Sequence, residues 1–332
     1  MAAALRADGA DVVWVGGGRA EAQLVPEAGY ELHAINVEGL SRTSPLRAAW
    51  ALMRSARALV RVRRLLGELR PAAVMGGGGY VSGPVGLAAV SRGIPLVLTE
   101  ADSHLGLTNR VLAPFAHRVC LAFPLPGRTG ARYRVYGRPV PAPRGDRASA
   151  RRWLGLNDDD VCVLVFGGSL GARSINQAAV QGLAGSGLRV LHVAGRRDYG
   201  QLAARELPTG YDLREFLTTD DFDRVLAGCD LVVARAGGSV FEIAAHARPA
   251  ILVPYPHASA DHQTANARWM ADAGAAVVVP DGELSGARLA REVSRLVSDP
   301  ARLAAMALAS HRLARPQAAR EVAAELLSAA AR

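Results

Sequence analysis

The stretch Val161-Cys162-Val163-Leu164-Val165-Phe166-Gly167-Gly168-Ser169-Leu170-Gly171-Ala172-Arg173 decides the fold class. Six apolar residues in a row lack the alternation of a half-exposed strand and suit a parallel strand covered on both faces. The glycines that follow let backbone N–H groups approach an oxygen-rich ligand, and a helix opens near Ser174. A strand–glycine loop–helix unit is a phosphate cradle by geometry, with Ser169 as an added hydroxyl donor. The same residues satisfy G-x-S-x-G, the nucleophile elbow of α/β-hydrolases, for which Asp230 and His257 would complete a triad. The motif alone serves either chemistry.

Working outward, short apolar runs alternate with Ala/Leu/Arg-rich stretches of helical length along the whole chain. Strands are expected over residues 12–15, 73–75, 96–98, 118–121, 161–166, 190–194, 231–234, 250–253 and 276–279. Alternating elements in both halves predict an α/β protein with two doubly wound parallel sheets. The proline-rich residues 139–146 are the expected linker. That places one domain at 1–140 and a second at 141–332, with the last helix packing back on the first. The length of 332 residues fits two domains, and a composition that is 50% hydrophobic and 21% charged excludes a largely disordered chain.

Several function classes drop out at this stage. No apolar stretch reaches the roughly 18–20 residues that span a bilayer. Cys120, Cys162 and Cys229 have neither disulfide nor zinc spacing. All 39 basic residues are Arg, which removes Schiff-base chemistry, a pyridoxal-phosphate lysine and a Walker A loop. Residues 1–140 hold 17 Arg against 9 carboxylates, whereas 141–332 hold 22 against 21, so the first half suits an anionic partner.

Three more motifs carry chemistry. Gly76-Gly77-Gly78-Gly79-Tyr80-Val81-Ser82-Gly83-Pro84 is a second glycine turn after a strand. Arg235-Ala236-Gly237-Gly238-Ser239-Val240-Phe241-Glu242 is a third, with Glu242 able to accept from two vicinal hydroxyls or simply to favour a helix start. Pro254-Tyr255-Pro256-His257 and Asp261-His262-Gln263-Thr264-Ala265-Asn266 cluster polar groups after a strand, where open α/β sheets bind ligands. The histidines have no metal-ligand spacing, so no metal and no cofactor are expected. Finally, residues 41–70 interleave Leu46, Trp50, Met53, Leu59, Val62, Leu66 and Leu69 with eight Arg. That pattern suits an anionic membrane surface or an ordinary surface helix. Nucleic acid is not expected, because no aromatic stacking platform accompanies the charge.

With these motifs in this order, the chain resembles the MurG family of glycosyltransferase family 28, the undecaprenyl-diphospho-muramoylpentapeptide β-N-acetylglucosaminyltransferases of peptidoglycan synthesis. The resemblance runs from about residue 12 to about 320, and is most specific at 78–84, 106–109, 167–172 and 254–267. It implies a GT-B fold of two Rossmann-like domains facing a cleft. It implies transfer of GlcNAc from UDP-GlcNAc to the C4 hydroxyl of lipid I, with inversion, on the cytoplasmic face of the plasma membrane. Donor contacts carried over are Ser169, the backbone of Leu217, Gly238, Ser239, Val240, Phe241, Glu242, His262 and Gln263. Acceptor contacts are Gly79, Tyr80, Ser82, Glu100, Asp102 and Asn109, with Glu100 as possible catalytic support.

Three departures stand beside the resemblance. The family's N-terminal glycine loop, with its proposed general-base His, has no counterpart, so the expectation is a truncated or misassigned start with little activity. The family's His-Glu-Gln-Asn stretch reads Thr99-Glu100-Ala101-Asp102, and an Arg after the linker falls at Pro141, with Arg138 as a substitute. Open alternatives are a related UDP-sugar enzyme, including an epimerase-like one, an inactive UDP-sugar binder, or a hydrolase using Ser169.

Overall fold

The structure, a computed structural model, describes residues 1–18, 20–35 and 45–331, the side chains of 45–56 excepted. The chain forms two compact units, Met1–Pro139 with Gln317–Arg332, and Val140–Pro316.

The first unit contains, in order, α1 (Ala2–Ala7), β1 (Val13–Gly16), α2 (Ala20–Glu27), β2 (Glu31–Ala34), α3 (Pro45–Leu69), β3 (Val74–Gly76), α4 (Gly79–Ser91), β4 (Leu96–Glu100), α5 (Leu107–Leu112), β5 (Arg118–Leu121) and β6 (Tyr133–Val135). All strand pairs are parallel, but they form two separate sheets, β1–β2 and β3–β4–β5–β6. The single doubly wound sheet expected for this half is therefore divided among the described residues. Its core gathers Val62, Leu66, Val85, Leu98, Leu112 and Val119.

The second unit contains α6 (Arg147–Trp153), β7 (Cys162–Phe166), α7 (Arg173–Leu183), β8 (Arg189–Val193), α8 (Tyr199–Ala203), β9 (Tyr211–Arg214), α9 (Thr219–Gly228), β10 (Leu231–Ala234), α10 (Val240–Ala245), β11 (Ala250–Leu252), α11 (His262–Asp272), β12 (Ala276–Val278), α12 (Gly286–Val297) and α13 (Pro300–Leu313). Helix starts follow local chemistry. Asp146 Oδ1 accepts the Ser149 N–H at 2.9 Å, Thr218 Oγ1 accepts that of Asp221 at 3.1 Å, and Pro300 follows the Asp299 cap. Val163, Val165, Ile175, Val233, Ile251 and Leu289 lose all contact with solvent, each burial stabilising by about 1.5–3 kcal/mol.

The chain then returns to the first unit as α14 (Ala318–Ala330). Val322 and Ala329 bury against Val97 and Cys120. Glu325 receives Arg118 Nε at 2.7 Å and the Tyr136 hydroxyl at 2.5 Å. Burial pushes the Glu325 carboxyl up, yet those two donors outweigh it and hold the group below the usual range.

All nine expected strands exist, with ends moved by at most two residues. Three were missed: β2, β6 and β9. Each lies at a sheet edge, where one partner suffices and polar residues such as Glu31, Arg134 and Asp212 are tolerated. Helix α3 confirms a helix within 41–70, and in its described half part of the apolar stripe turns inward. Val62 and Leu66 are buried in the core and Leu59 packs against it, while Arg57, Arg61 and Arg64 are exposed. Internal packing accounts for Leu59, Val62 and Leu66, while Val60 and Leu69 stay exposed. Leu46, Trp50 and Met53 lie outside the described side chains.

Candidate functional site

The six strands of the second unit run parallel in the order β9-β8-β7-β10-β11-β12. Strand order reverses direction between β7 and β10, whose connections leave toward opposite sides and open a crevice at their carboxyl ends. Residues 167–172 follow β7, and residues 235–239 follow β10. Leu217 follows β9, and residues 253–261 follow β11. Because every strand is parallel, all these segments emerge at one edge of the sheet, and the donor-side residues named from sequence lie along that edge.

The turn after β7 is built by close backbone packing. A Cβ on Gly171 would collide with the Ala194 carbonyl, and one on Gly195 with the Gly171 main chain; both glycines also have positive φ, 78° and 79°. Ser169 is exposed on this turn, beside the 11-residue helix α7. A buried relay lies beneath it. Asn176 Nδ2 donates to the Ala194 carbonyl at 2.9 Å and to Asp198 Oδ2 at 3.0 Å. That orientation turns Asn176 Oδ1 toward His192 Nε2 at 3.0 Å, so the imidazole carries its proton on Nε2 and accepts the Tyr211 hydroxyl on Nδ1 at 2.8 Å. Burial lowers the His192 pKa to about 4, so the ring is neutral near pH 7.

After β10, Gly238 and Ser239 form a half-buried turn into α10. Val240 and Phe241 are buried in the core, Phe241 against Trp269 at 5.0 Å between ring centroids, and they anchor the start of α10. Glu242, half-buried, sits one turn from His246, which bonds the Glu242 carbonyl at 2.9 Å and Asp223 at 3.0 Å. After β11, Ala260 and Asp261 both adopt left-handed backbone at φ 52° just before His262. His262 Nδ1 contacts the Ser259 carbonyl at 2.8 Å, and Gln263 Oε1 accepts the Tyr255 N–H at 3.0 Å.

The hydrolase alternative fails on placement. Asp230 precedes β10 at the amino end of the sheet, where it accepts Cys162 N–H at 2.8 Å and pairs with Arg147 and Arg151. Ser169 follows β7 at the carboxyl end, so the two cannot share a triad.

In the first unit, Gly78 and Gly79 turn the chain from β3 into α4 with φ of 81° and 75°. Ser82 Oγ donates to the Gly78 carbonyl at 2.6 Å, and Thr108 Oγ1 to that of Gly79 at 3.0 Å. Tyr80 is two-thirds exposed. Glu100 is buried and accepts three donors: Asp102 N–H at 3.3 Å, Gly106 N–H at 2.9 Å and Asn109 Nδ2 at 2.9 Å. Asn109 also donates to the Thr99 carbonyl at 2.9 Å. The carboxylate thus organises residues 101–109 rather than standing free as a base.

Sequence reasoning assigned no role to Ser174, Asn176, His192, Asp198, Arg235 or Asp281. Their partners lie 16 to 107 residues away, and no spacing rule reaches that far. The three thiols are buried, with Cys120 pushed up to about 12 and Cys229 to about 11 by burial, so they are unreactive. No group of three or more metal-ligating side chains occurs among the described residues.

Residues 1–121 match the glycosyltransferase family 28 N-terminal domain, and residues 162–322 match the family 28 C-terminal domain. The chain belongs to glycosyltransferase family 28. Within the family it is similar to the UDP-N-acetylglucosamine–N-acetylmuramyl-(pentapeptide) pyrophosphoryl-undecaprenol N-acetylglucosamine transferase of Rubrobacter xylanophilus. The two are 41% identical over 337 residues, covering 99% of this chain and 98% of that one. The enzyme of the same name from Moorella thermoacetica is 41% identical over 329 residues, covering 93% and 88%. Among solved structures, Acinetobacter baumannii MurG superposes with a TM-score of 0.80 at 28% identity, covering 98% of this chain and 94% of that one. The calicheamicin glycosyltransferase CalG4, at 17% identity and TM-score 0.71, shares the fold. Two Rossmann-like parallel-sheet domains of the GT-B class are thus common to the family and this chain.

Proposed function

We propose that this chain is a hexosyltransferase of peptidoglycan synthesis that moves GlcNAc from UDP-GlcNAc to the C4 hydroxyl of lipid I, giving lipid II. The observation that carries the reading is the convergence, at the switch point of a six-stranded parallel sheet, of a glycine turn, a carboxylate and an amide on neighbouring connections, in a chain matched end to end by enzymes of that name. The N-terminus of α7 and Ser169 face the donor diphosphate. The main chain of Gly238, Ser239, Val240 and Phe241 lines the same turn, Glu242 holds the ribose, and the Leu217 backbone holds the uracil. His262 and Gln263 read the sugar. The acceptor C4 oxygen attacks the donor C1 as the C1–O bond to UDP breaks, with the hydroxyl proton passing to water and UDP leaving as the anion. The helix N-terminus stabilises the charge left on the diphosphate, so the chemistry asks for no metal.

The acceptor side is assigned to the first unit, at Gly79, Tyr80, Ser82, Asp102 and Asn109, with Glu100 shaping the loop. No described helix is long and apolar enough to cross a membrane. Peripheral binding to an anionic leaflet, at the cytoplasmic face, is supported by exposed Tyr80, Leu87, Leu107, Val111 and Phe115 beside Arg110 on α4, α5 and the 3-10 turn that follows.

Acceptor-dependent release of UDP from UDP-GlcNAc tests the reaction, with calorimetry of UDP for Glu242→Ala. Expected are turnover only with lipid I and a weaker UDP affinity in the variant. Consumption of UDP-GlcNAc without any lipid would instead favour an epimerase-like activity. Co-sedimentation with anionic vesicles, reduced by the Leu107→Ser/Phe115→Ser pair, tests the membrane face.

A further inference from the structure

Arg235 leaves β10 at the switch point with its side chain only 12% exposed. Its Nη1 donates to the carbonyls of Val253 and Pro254, both at 3.1 Å, and to Asp281 Oδ1 at 2.6 Å. Its Nη2 donates to Ser174 Oγ at 2.9 Å, and Ser174 in turn donates to the same Asp281 oxygen at 2.6 Å. The guanidinium lies 5.5 Å from the Tyr255 ring centroid. One side chain therefore ties together the first turn of α7, the end of β11 and the segment after β12. None of the four tied residues is among the donor contacts carried over from the family.

The consequence reaches one peptide further. The Pro254 carbonyl held by Arg235 belongs to the same peptide unit as the Tyr255 N–H, which donates to Gln263 Oε1 at 3.0 Å. A peptide unit is planar, so fixing its carbonyl fixes the direction of its N–H. With one lone pair of Oε1 so engaged, the Gln263 amide is oriented, and its N–H groups are aimed by a backbone that Arg235 holds. The left-handed Ala260 and Asp261 just before it cost about 1–2 kcal/mol each, which the surrounding contacts must offset.

We infer that Arg235, braced by Asp281 and Ser174, is a positioning residue that selects the sugar of the donor by fixing the Pro254–Tyr255 peptide and, through it, the donor amide of Gln263. This rests on the donor assignment above. An Arg is required because four acceptors are met by one planar fork; a lysine ammonium is a point charge that cannot span them.

The test is calorimetry of UDP and UDP-GlcNAc with the full chain, comparing wild type, Arg235→Lys, Gln263→Ala and the double variant, each checked for folding by circular dichroism. Arg235→Lys is expected to weaken UDP-GlcNAc by about tenfold and UDP by no more than about threefold, the scale of one hydrogen bond. Gln263→Ala should do the same, and in its background Arg235→Lys should no longer change the UDP-GlcNAc to UDP ratio. Equal losses for both ligands, or ratio effects that multiply in the double variant, would overturn the link while leaving the donor site standing. A folded wild type that binds neither ligand would overturn both. Should Arg235→Lys fail to fold, Asp281→Asn, which keeps one acceptor, carries the test and should shift the same ratio about threefold.

Discussion

Two of the glycine turns that follow parallel strands, the one after β7 in the second unit and the one after β3 in the first, are held by different means. The turn after β7 is packed backbone on backbone. Gly171 and Gly195 touch main chain where a Cβ would stand, and a buried His192–Asn176–Asp198 relay supports them from below. The turn after β3 is looser. Gly79 has no heavy atom within 4 Å of a would-be Cβ, and the order comes from side chains, Glu100 and Asn109, which gather the neighbouring loop. One turn needs glycine for space and for backbone angle; the other needs it for angle alone. The difference suits the proposed arrangement, in which the second unit takes a small charged donor at a rigid site and the first a bulky acceptor at a more adaptable one.

Substitutions test that contrast in descending size. Gly171→Ala should be the most damaging, at about 4 kcal/mol, because strain and a main-chain clash act together. A loss below about 1 kcal/mol in urea melts would mean that the packed turn gives way easily. Asn109→Ala strips the buried Glu100 carboxylate and the part-buried Thr99 carbonyl of a donor each, for an expected loss of about 2–3 kcal/mol. Retained stability there would show that the first turn is not held by these side chains.

The third test is a pH profile. His192 is neutral when folded, with its pKa lowered to about 4 by burial, whereas unfolded it titrates near 6.5. The unfolded state therefore binds more protons between those values. The contribution is present above pH 6.5 and is lost as pH falls toward 4. Between pH 7 and 5 the wild type should lose about 2 kcal/mol more than a His192→Gln variant. Parallel profiles would remove the relay as a support of the second turn. Smallest is Gly79→Ala, expected to cost about 1 kcal/mol through its positive φ alone. A cost equal to that of Gly171→Ala would erase the distinction between the turns.

What was legible in the sequence follows from local chemistry. Val163 to Phe166 and Leu231 to Ala234 are apolar on both faces because both faces are covered, so central strands announce themselves. Edge strands such as Tyr211–Arg214 are covered less and carry charge, so they escaped notice. The amphipathic stretch at residues 41–70 had two readings, and packing decided the described half, since Val62 and Leu66 face a core that only the folded chain creates.

By itself, the sequence determined the parallel α/β class, the glycine turns and the family, because each depends on residues close together along the chain or on motifs in order. The tertiary structure alone decided that Asp230 and Ser169 lie at opposite ends of the sheet, that Glu100 is spent on its own loop, and that Arg235 meets Ser174 and Asp281. Those pairings join residues 46 to 61 positions apart in the Arg235 cluster. Such partners are chosen by which strand connections share an edge of the sheet, and local pattern carries no record of that choice.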